Sequence, residues 1–409
     1  MPGVCLPGLY CIPTEMLSNI LFFMLFMLVI ASFLRDDFVF TLVYLLSGVI
    51  ILSQLWSRKA LASLQVERKF EPHAFPGERV PVELHLSNAG RLPILWLRVA
   101  ETTPVDLKVM RDVQQVVSLP AKSSTQVHYE LEARRRGYYR VGPLQIAGGD
   151  LLGILKAELK DELLSPLIVY PRVVALPHFR LNSRLPMGTL RDTHPLYEDP
   201  SRPVGKRDYL ASDSMRRIDW KTSAATGRLK VKTFEPAIEL QAAVFLNLNP
   251  REYDLHSRYH DTELAIVTAA SIVNWANQQK QRFGFFTNGT DLLNPDAAPT
   301  RTLVKKGRSH LMNIFESMAR LKPTEETEFV AFIHQQRVLL GWGATLVLIT
   351  PHADDNLFDE IFRIRRAGHQ VLLILCGLQT NYAEILPRCS HSSIPLRQVR
   401  DERDLERMM

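Results

Sequence analysis

Between Gly205 and Glu235 the sequence concentrates cations, carboxylates and one tryptophan: GKRDYLASDSMRRIDWKTSAATGRLKVKTFE. Guanidinium forks and indole faces in one short span are the chemistry of molecular recognition, because arginine and tryptophan dominate the energy of protein interfaces. The residues placed for it are Arg207, Asp208, Tyr209, Asp213, Arg216, Arg217, Asp219, Trp220, Lys221 and Arg228. The order of residue types also predicts local structure. Asp213, preceded by Ser212, stands at a helix N-cap position, and Gly227 stands where a helix stops. Met215, Ile218 and Trp220 would anchor that helix, and Arg216 would pair with Asp219 along its surface. Leu229 to Phe234 alternates apolar and basic residues, as a half-buried strand does. A structural role for the same residues has Trp220 stapling the helix to a sheet and Asp219 satisfying an arginine. A rigid platform would accommodate both roles.

The chain has 409 residues, which predicts two to three domains. It is 46% hydrophobic and 22% charged, so packed cores are feasible and global disorder is excluded. The net charge of +6 is spread along the chain, which argues against a nucleic-acid binder and is compatible with an anionic membrane. Cys5, Cys11, Cys376 and Cys389 form no C-x-x-C pair, so a reducing compartment fits better than a disulfide scaffold.

Residues 1–57 read as a membrane anchor. Residues 16–34 and 38–56 are each almost wholly apolar and near the ~20 residues that cross a hydrocarbon core. Only Arg35-Asp36-Asp37 separates them. Arg58, Lys59, Arg68 and Lys69 follow the second run, which predicts a two-pass protein of the cytoplasmic membrane with its soluble body in the cytoplasm. Residues 64–177 switch to short alternating runs, at Val80–Leu86, Leu95–Val99, Val113–Leu119 and Gln126–Glu132, and predict a β-sandwich. Residues 178–238 hold a polar connector, Leu181 to Pro203, and the recognition segment. Residues 239–409 alternate strands, among them the apolar runs Leu240–Leu248, Ala344–Ile349 and Gln370–Leu375, with helices, among them Glu325–Leu340 and Asp355–Arg366 ending at Gly368, and predict a doubly wound parallel sheet. The fold class is therefore multidomain: a transmembrane hairpin, a β-sandwich and an α/β domain.

The phrases Arg207-Asp208-Tyr209, Ser212-Asp213, Arg216-Arg217-Ile218-Asp219-Trp220-Lys221, Thr226-Gly227-Arg228-Leu229 and Val231-Lys232 resemble the signature of the domain-of-unknown-function-58 (DUF58) family. Gly137-Tyr138-Tyr139-Arg140-Val141-Gly142-Pro143 and Gly148 to Gly153 are similar to further phrases of that family. The resemblance implies an immunoglobulin-like middle domain. The order of the last domain resembles a von Willebrand factor A-like fold, which often binds a divalent cation through an Asp-x-Ser-x-Ser loop. Here Asn247 and Asn249 stand at the first two of those positions and Arg251 at the last. Thr350 stands at the later threonine position, with Asp354 slightly late for the final aspartate. The implied site is degenerate, because a hard cation such as magnesium prefers anionic oxygen ligands.

Other constellations are weaker. His256 and His260 are four apart but lack a third ligand, and read as the start of a helix with Asp261 near its N-terminus. Arg134, Arg135 and Arg136 beside Tyr138 and Tyr139 read as a solvated strand end. Cys389 and His391 lack an orienting acid. The chain contains no H-E-x-x-H, G-x-S-x-G or G-x-x-x-x-G-K-[ST] motif. The expectation is a non-enzymatic, membrane-anchored scaffold without a resident cofactor. The resemblance implies a MoxR-type AAA+ ATPase as its partner. The alternatives are a metal-dependent binding or hydrolytic site at the sheet edge, or an electrostatic binder of a membrane or nucleic-acid surface.

Overall fold

The computed structural model describes residues 22–23, 25–29, 37–104, 106–109, 115–149, 156–161, 164–181, 198–211, 213–236, 241–295, 299–341, 343–377 and 382–408. These form two compact units, one of residues 1–172 with 318–320 and one of residues 173–317 with 321–409.

The first unit begins with the long helix α1 (Asp37–Ala62). Its stretch Phe40–Ala62 is long and apolar enough to cross a membrane, with a mean hydropathy of 1.7 and little of it buried. The other expected span, residues 16–34, lies mostly outside the described residues, of which 22–23 and 25–29 are helical. Among the described residues eleven strands follow: β1 (Leu64–Lys69), β2 (His73–Ala74), β3 (Arg79–Asn88), β4 (Ile94–Glu101), β5 (Leu107–Val109), β6 (Gln115–Leu119), β7 (Ser124–Ala133), β8 (Gly137–Val141), β9 (Leu144–Gly149), β10 (Lys156–Asp161) and β11 (Ser165–Val169). They pair as β1-β3-β7-β5, β10-β9-β4-β6 and β2-β11-β8.

Period-two alternation sets the core. In β3, Val80, Val82, Leu84 and Leu86 point inward while Arg79, Pro81 and Glu83 face water. Leu97 and Val99 of β4 and Leu144 and Ile146 of β9 join the same core from the second sheet. The last turn of α1 also belongs to it, through Ala60 and Leu61. A β-carbon at Gly148 would lie 2.8 Å from Leu61 Cδ2, so a larger residue there would push the Leu61 side chain aside. Trp56 Nε1 donates to Pro93 O at 3.2 Å and fixes the same end.

Arg68 differs from its sequence reading as a flanking charge. Its side chain is fully buried and pairs with Glu101, while Nη1 donates to Val141 O and Ser165 Oγ, both at 3.0 Å. It therefore ties strands of all three sheets together, and Arg58, Lys59 and Lys69 remain as flanking cations. Burial outweighs Arg68 and pushes the Glu101 carboxyl up to about 7.

The second unit opens with residues 173–181 lying along a helix. Val174 N–H donates to Ser271 Oγ at 3.0 Å, and Phe179 meets Trp275 edge-on at 4.9 Å. Two strands follow, β12 (Glu198–Asp208) and β13 (Lys230–Pro236), with the short helix α2 (Trp220–Thr226) between them. Part of the expected connector, residues 198–203, is thus strand, while 182–197 lie outside the described residues.

The rest of the unit alternates: β14 (Gln241–Leu246), α3 (Arg258–Gln278), β15 (Arg282–Thr287), β16 (Thr290–Asp291), β17 (Arg301–Lys305), α4 (Arg308–Arg320), β18 (Leu321–Lys322), α5 (Phe329–Gln336), β19 (Thr345–Thr350), α6 (Asp355–Arg366), β20 (Gln370–Cys376), α7 (Tyr382–His391), β21 (Leu396–Val399) and α8 (Glu402–Glu406). The main sheet has the order β17-β15-β14-β19-β20-β21. All neighbours are parallel except β17 on β15. Ala243, Phe245, Leu346, Leu348 and Leu373 pack against α5, α6 and α7 on one face. On the other face Cys376 meets Thr268 of α3, and Phe283 O meets His310 of α4. Burial on both faces explains the unbroken apolar runs of β14, β19 and β20. The helix expected over Glu325–Leu340 is shorter, because α5 starts at Phe329 and ends in the 3-10 turn Arg337–Leu339.

Two outcomes are expected. Leu61→Ala removes a buried side chain from the first unit and should cost about 2–5 kcal/mol, read by chemical denaturation in detergent. Glu101 has a folded pKa above its ordinary 4.5, so its contribution to stability is complete below about pH 4.5 and is lost as pH rises through about 7. Glu101→Gln should flatten the pH dependence of that unit's unfolding midpoint across this window.

Candidate functional site

The recognition segment is a self-contained platform. Strands β12 and β13 pair Lys206 with Lys232, Arg207 with Val231 and Asp208 with Lys230. Tyr209 N–H donates to Leu229 O at 3.0 Å and extends the ribbon. Helix α2 is folded back on it, since Asp219 N–H donates to Lys230 O at 2.9 Å and Lys230 N–H donates to Ser223 Oγ at 2.8 Å. Ile218, Ser223 and Val231 form the small buried interior.

The helix begins later than the sequence suggests. Residues Met215–Arg217 make a 3-10 turn, and Ile218 then adopts extended backbone and bridges to Val231. Only after that bridge can a helix start, so the N-cap is Asp219, which accepts from Thr222 N–H at 3.2 Å. Gly227 ends the helix as expected, at a φ of 66° that suits glycine.

Asp213 has a different task. Its carboxylate takes both Arg207 Nη atoms at 2.6 Å and the Leu210 N–H at 2.9 Å. Asp219 pairs with Lys206 at 2.8 Å rather than with Arg216, and Asp208 pairs with Lys230 at 2.8 Å. Lys206 and the Thr222 amide hold Asp219 at about 2, Arg207 and the Leu210 amide lower Asp213, and Lys230 lowers Asp208.

The three aspartates grouped with the docking residues are thus engaged within the platform. Met215 and Trp220 do not anchor it either, being 70% and 67% exposed. Arg216, Lys221 and Lys232 are exposed and make no ion pair among the described residues. Arg217 and Arg228 add their charge beside Asp213 and Asp208.

A second group of polar residues gathers at the C-terminal ends of β14 and β19. The chain leaves β14 in one direction for β15 and returns on its other side with β19, so a crevice opens between them. Asn247 is fully buried there. Its Nδ2 donates to Glu252 Oε2 at 2.7 Å and Thr350 Oγ1 at 3.1 Å. Its Oδ1 accepts from Asn249 N–H at 3.0 Å and Asn288 Nδ2 at 3.1 Å. Thr350 Oγ1 donates to His352 O at 3.0 Å, and Tyr253 Oη donates to Asn247 O at 2.6 Å. Burial raises the Glu252 carboxyl, and Asp354 raises it further.

The sequence reading singled out Asn247, Asn249, Thr350 and Asp354 and missed Glu252, Tyr253 and Asn288. A carboxylate soon after the loop and an asparagine at the end of β15 were the available signals. Asn249 Oδ1 accepts from Arg251 N–H at 3.1 Å, and Asp354 caps α6 by accepting from Leu357 N–H at 2.9 Å. Arg251, expected to burden the site, is exposed and pairs with Glu325 at 2.7 Å.

This donor set fits a hard cation poorly. The amide NH2 of Asn247 lies between the Glu252 carboxylate and the Thr350 hydroxyl, where a cation would need oxygens, and burial favours the neutral form of Glu252. Among the described residues no three His, Cys, Asp or Glu side chains gather as metal ligands, and His256 is exposed beside Asp254. Burial pushes the Cys376 thiol up to about 12 and raises Cys389, so neither is an activated nucleophile. A pocket lined by Phe179, Thr345, Gln370 and Arg397 lies at the opposite, N-terminal edge of β19 and β20.

Asn247→Asp should place like charges together in the crevice and cost about 2 kcal/mol or more near pH 8. Repulsion raises folded pKa values, so the loss should shrink as pH falls toward 5, in thermal unfolding compared with wild type. Asp219→Ala removes the cap of α2 and should speed hydrogen exchange at the Thr222 and Ser223 amides without changing exchange in β14 or β19.

Known proteins match parts of the chain. An uncharacterised protein of Bacillus subtilis, YeaD, is 28% identical over 198 residues, spanning 47% of this chain and 48% of that protein. The match thus spans about half of that relative's length. Part of Escherichia coli alpha-2-macroglobulin is 21% identical over 28% of this chain and 17% of its own, with a TM-score of 0.25. The proximal thread matrix protein 1 of the mussel byssus is 12% identical over 42% of this chain and 46% of its own, with a TM-score of 0.30. Neither score is high enough to bear on the fold. The family model described as "Protein of unknown function DUF58" matches residues 205–388, which run from the platform through α7. Over these residues the chain matches the DUF58 family.

Proposed function

We propose that this protein is a non-enzymatic scaffold, fixed in the cytoplasmic membrane, whose second unit docks a protein partner. The observation that carries the reading is the platform itself. Its three aspartates are engaged internally, while Trp220 and Met215 stand in solvent beside basic side chains. A tryptophan that does not serve the interior of its own module is available to another surface. The MoxR-type AAA+ ATPase implied by the family resemblance is the partner this reading names. It would supply the energy for assembling or remodelling an envelope complex.

The anchor in this reading is a two-pass hairpin of residues 16–34 and 38–56, with both units in the cytoplasm. Support comes from the apolar stretch Phe40–Ala62 and from exposed Arg58 and Lys59 at its end. The first unit is read as an immunoglobulin-like sandwich that follows the anchor in the chain. The second is read as von Willebrand factor A-like, with its crevice closed by hydrogen bonds. The rival reading, a metal-dependent binding or hydrolytic site at the sheet edge using Asn249, Thr350 and Asp354, draws on the Asp354 and Glu252 carboxylates at that edge. It predicts that magnesium raises the unfolding temperature of the wild type and that Thr350→Ala abolishes the rise.

Crosslinking in native membranes followed by mass spectrometry tests the scaffold reading. An AAA+ ATPase enriched over a membrane-protein control is the expected result. Its absence at saturating crosslinker would remove the main support for this function. Alkaline carbonate should leave the chain in the membrane pellet, and its release would refute the anchor.

A further inference from the structure

We propose that the platform docks an acidic protein surface, with Trp220 inserted in an apolar site on the partner and Arg216, Lys221 and Lys232 on the partner's carboxylates. The inference rests on the docking reading above and adds the chemistry of the partner. Its basis is charge that the platform leaves uncompensated. Residues 205–233 hold eight basic side chains and three acidic ones. The structure spends each acid on a specific internal cation: Asp208 on Lys230, Asp213 on Arg207, Asp219 on Lys206. What faces solvent is therefore cationic, and it is cationic around an aromatic.

Met215, Arg216, Trp220 and Lys221 stand within seven consecutive residues, all exposed, on a turn and helix start held by the ribbon beneath. The backbone that presents them is tied at Asp219, Ser223 and Lys230. Little ordering entropy remains to oppose binding. Lys206 sits across the ribbon from Lys232, but its charge is taken by Asp219. The engaged aspartates attract a basic partner less than they would if free, and the surplus cationic charge selects an acidic one.

Full-length protein in phosphatidylcholine nanodiscs would be titrated with a fluorescein-labelled amphipathic helical peptide of Glu, Leu and Ala. Controls would be the analogue with every Glu replaced by Gln, and equimolar phosphatidylglycerol–phosphatidylcholine vesicles. The acidic peptide should bind at least about tenfold more tightly than the Gln analogue, and should weaken by about tenfold between low and physiological salt. Trp220→Ala should lose about tenfold with unchanged salt dependence, as a buried aromatic anchor does. Arg216→Glu with Lys221→Glu should lose both affinity and salt dependence. Circular dichroism confirms folding, and Lys221→Ala serves as the milder variant if the double reversal unfolds the platform.

Equal binding of the Gln analogue, or unchanged binding by folded variants, would overturn the proposal. So would vesicle binding that needs Trp220 while peptide binding does not, which would assign the surface to lipid. An ATPase crosslinked equally well by wild type and by the Trp220 and Arg216 variants would sink this inference and leave the scaffold reading standing.

Discussion

A parallel sheet covered on both faces must hide its strands completely, and the second unit is organised by that requirement. Phe245, Leu348 and Leu373 face α5, α6 and α7, while the alternate residues of the same strands face α3 and α4. No position along the middle of these strands tolerates a charge. Polar chemistry is displaced to the strand ends, where the chain turns and backbone groups need partners. Asn247, Asn288 and Thr350 sit at such ends and satisfy one another and the loops they begin. The crevice is thus a product of the sheet's topology before it is a product of any ligand.

The platform follows the opposite logic. Among its described residues only Ile218, Ser223 and Val231 are buried. A module that small needs other restraints, and it uses ion pairs and caps. Arg207 with Asp213 is bidentate, and Asp219 both caps α2 and holds Lys206. Exposed pairs of this kind contribute little individually. Their combined effect is to define where the turn at Met215 and the helix at Trp220 point. The same ion pairs that shape the platform also determine its net outward charge.

The first unit joins a membrane-length helix to a β core without a free hinge between them. Leu61 belongs to that core, and its side chain lies directly over Gly148. Arg68 and Glu101 place a buried ion pair across its sheets, with a carboxyl that titrates near neutrality. Such a pair is weak evidence for stability, since removing one partner leaves the other charge buried. That raised carboxyl makes the unit's stability respond to pH.

Several features were legible in the residues alone. Period-two alternation marked β3 and β7, and continuous apolar runs marked β14, β19 and β20. Helix α6 was readable to the residue, because Asp354 and Gly368 bracket it. These signals are local, and local propensity there agrees with burial. Other features depended on partners distant in sequence. Asp213 resembled an N-cap, but its arginine is on β12 and the true cap is Asp219, since Ile218 must first bridge to β13. Arg68 resembled a flanking charge until Glu101, thirty-three residues on, buried it. Trp220 resembled a staple until the ribbon left it outside. Glu252 and Asn288 carried no motif and acquired a role only when the sheet brought them to Asn247. The sequence by itself determined which segments are strands, helices and turns, because backbone preference and hydrophobic period act over a few residues. Tertiary structure alone decided which charges are neutralised and which face solvent, because Coulomb energy depends on distance and burial, and neither can be read from spacing along the chain.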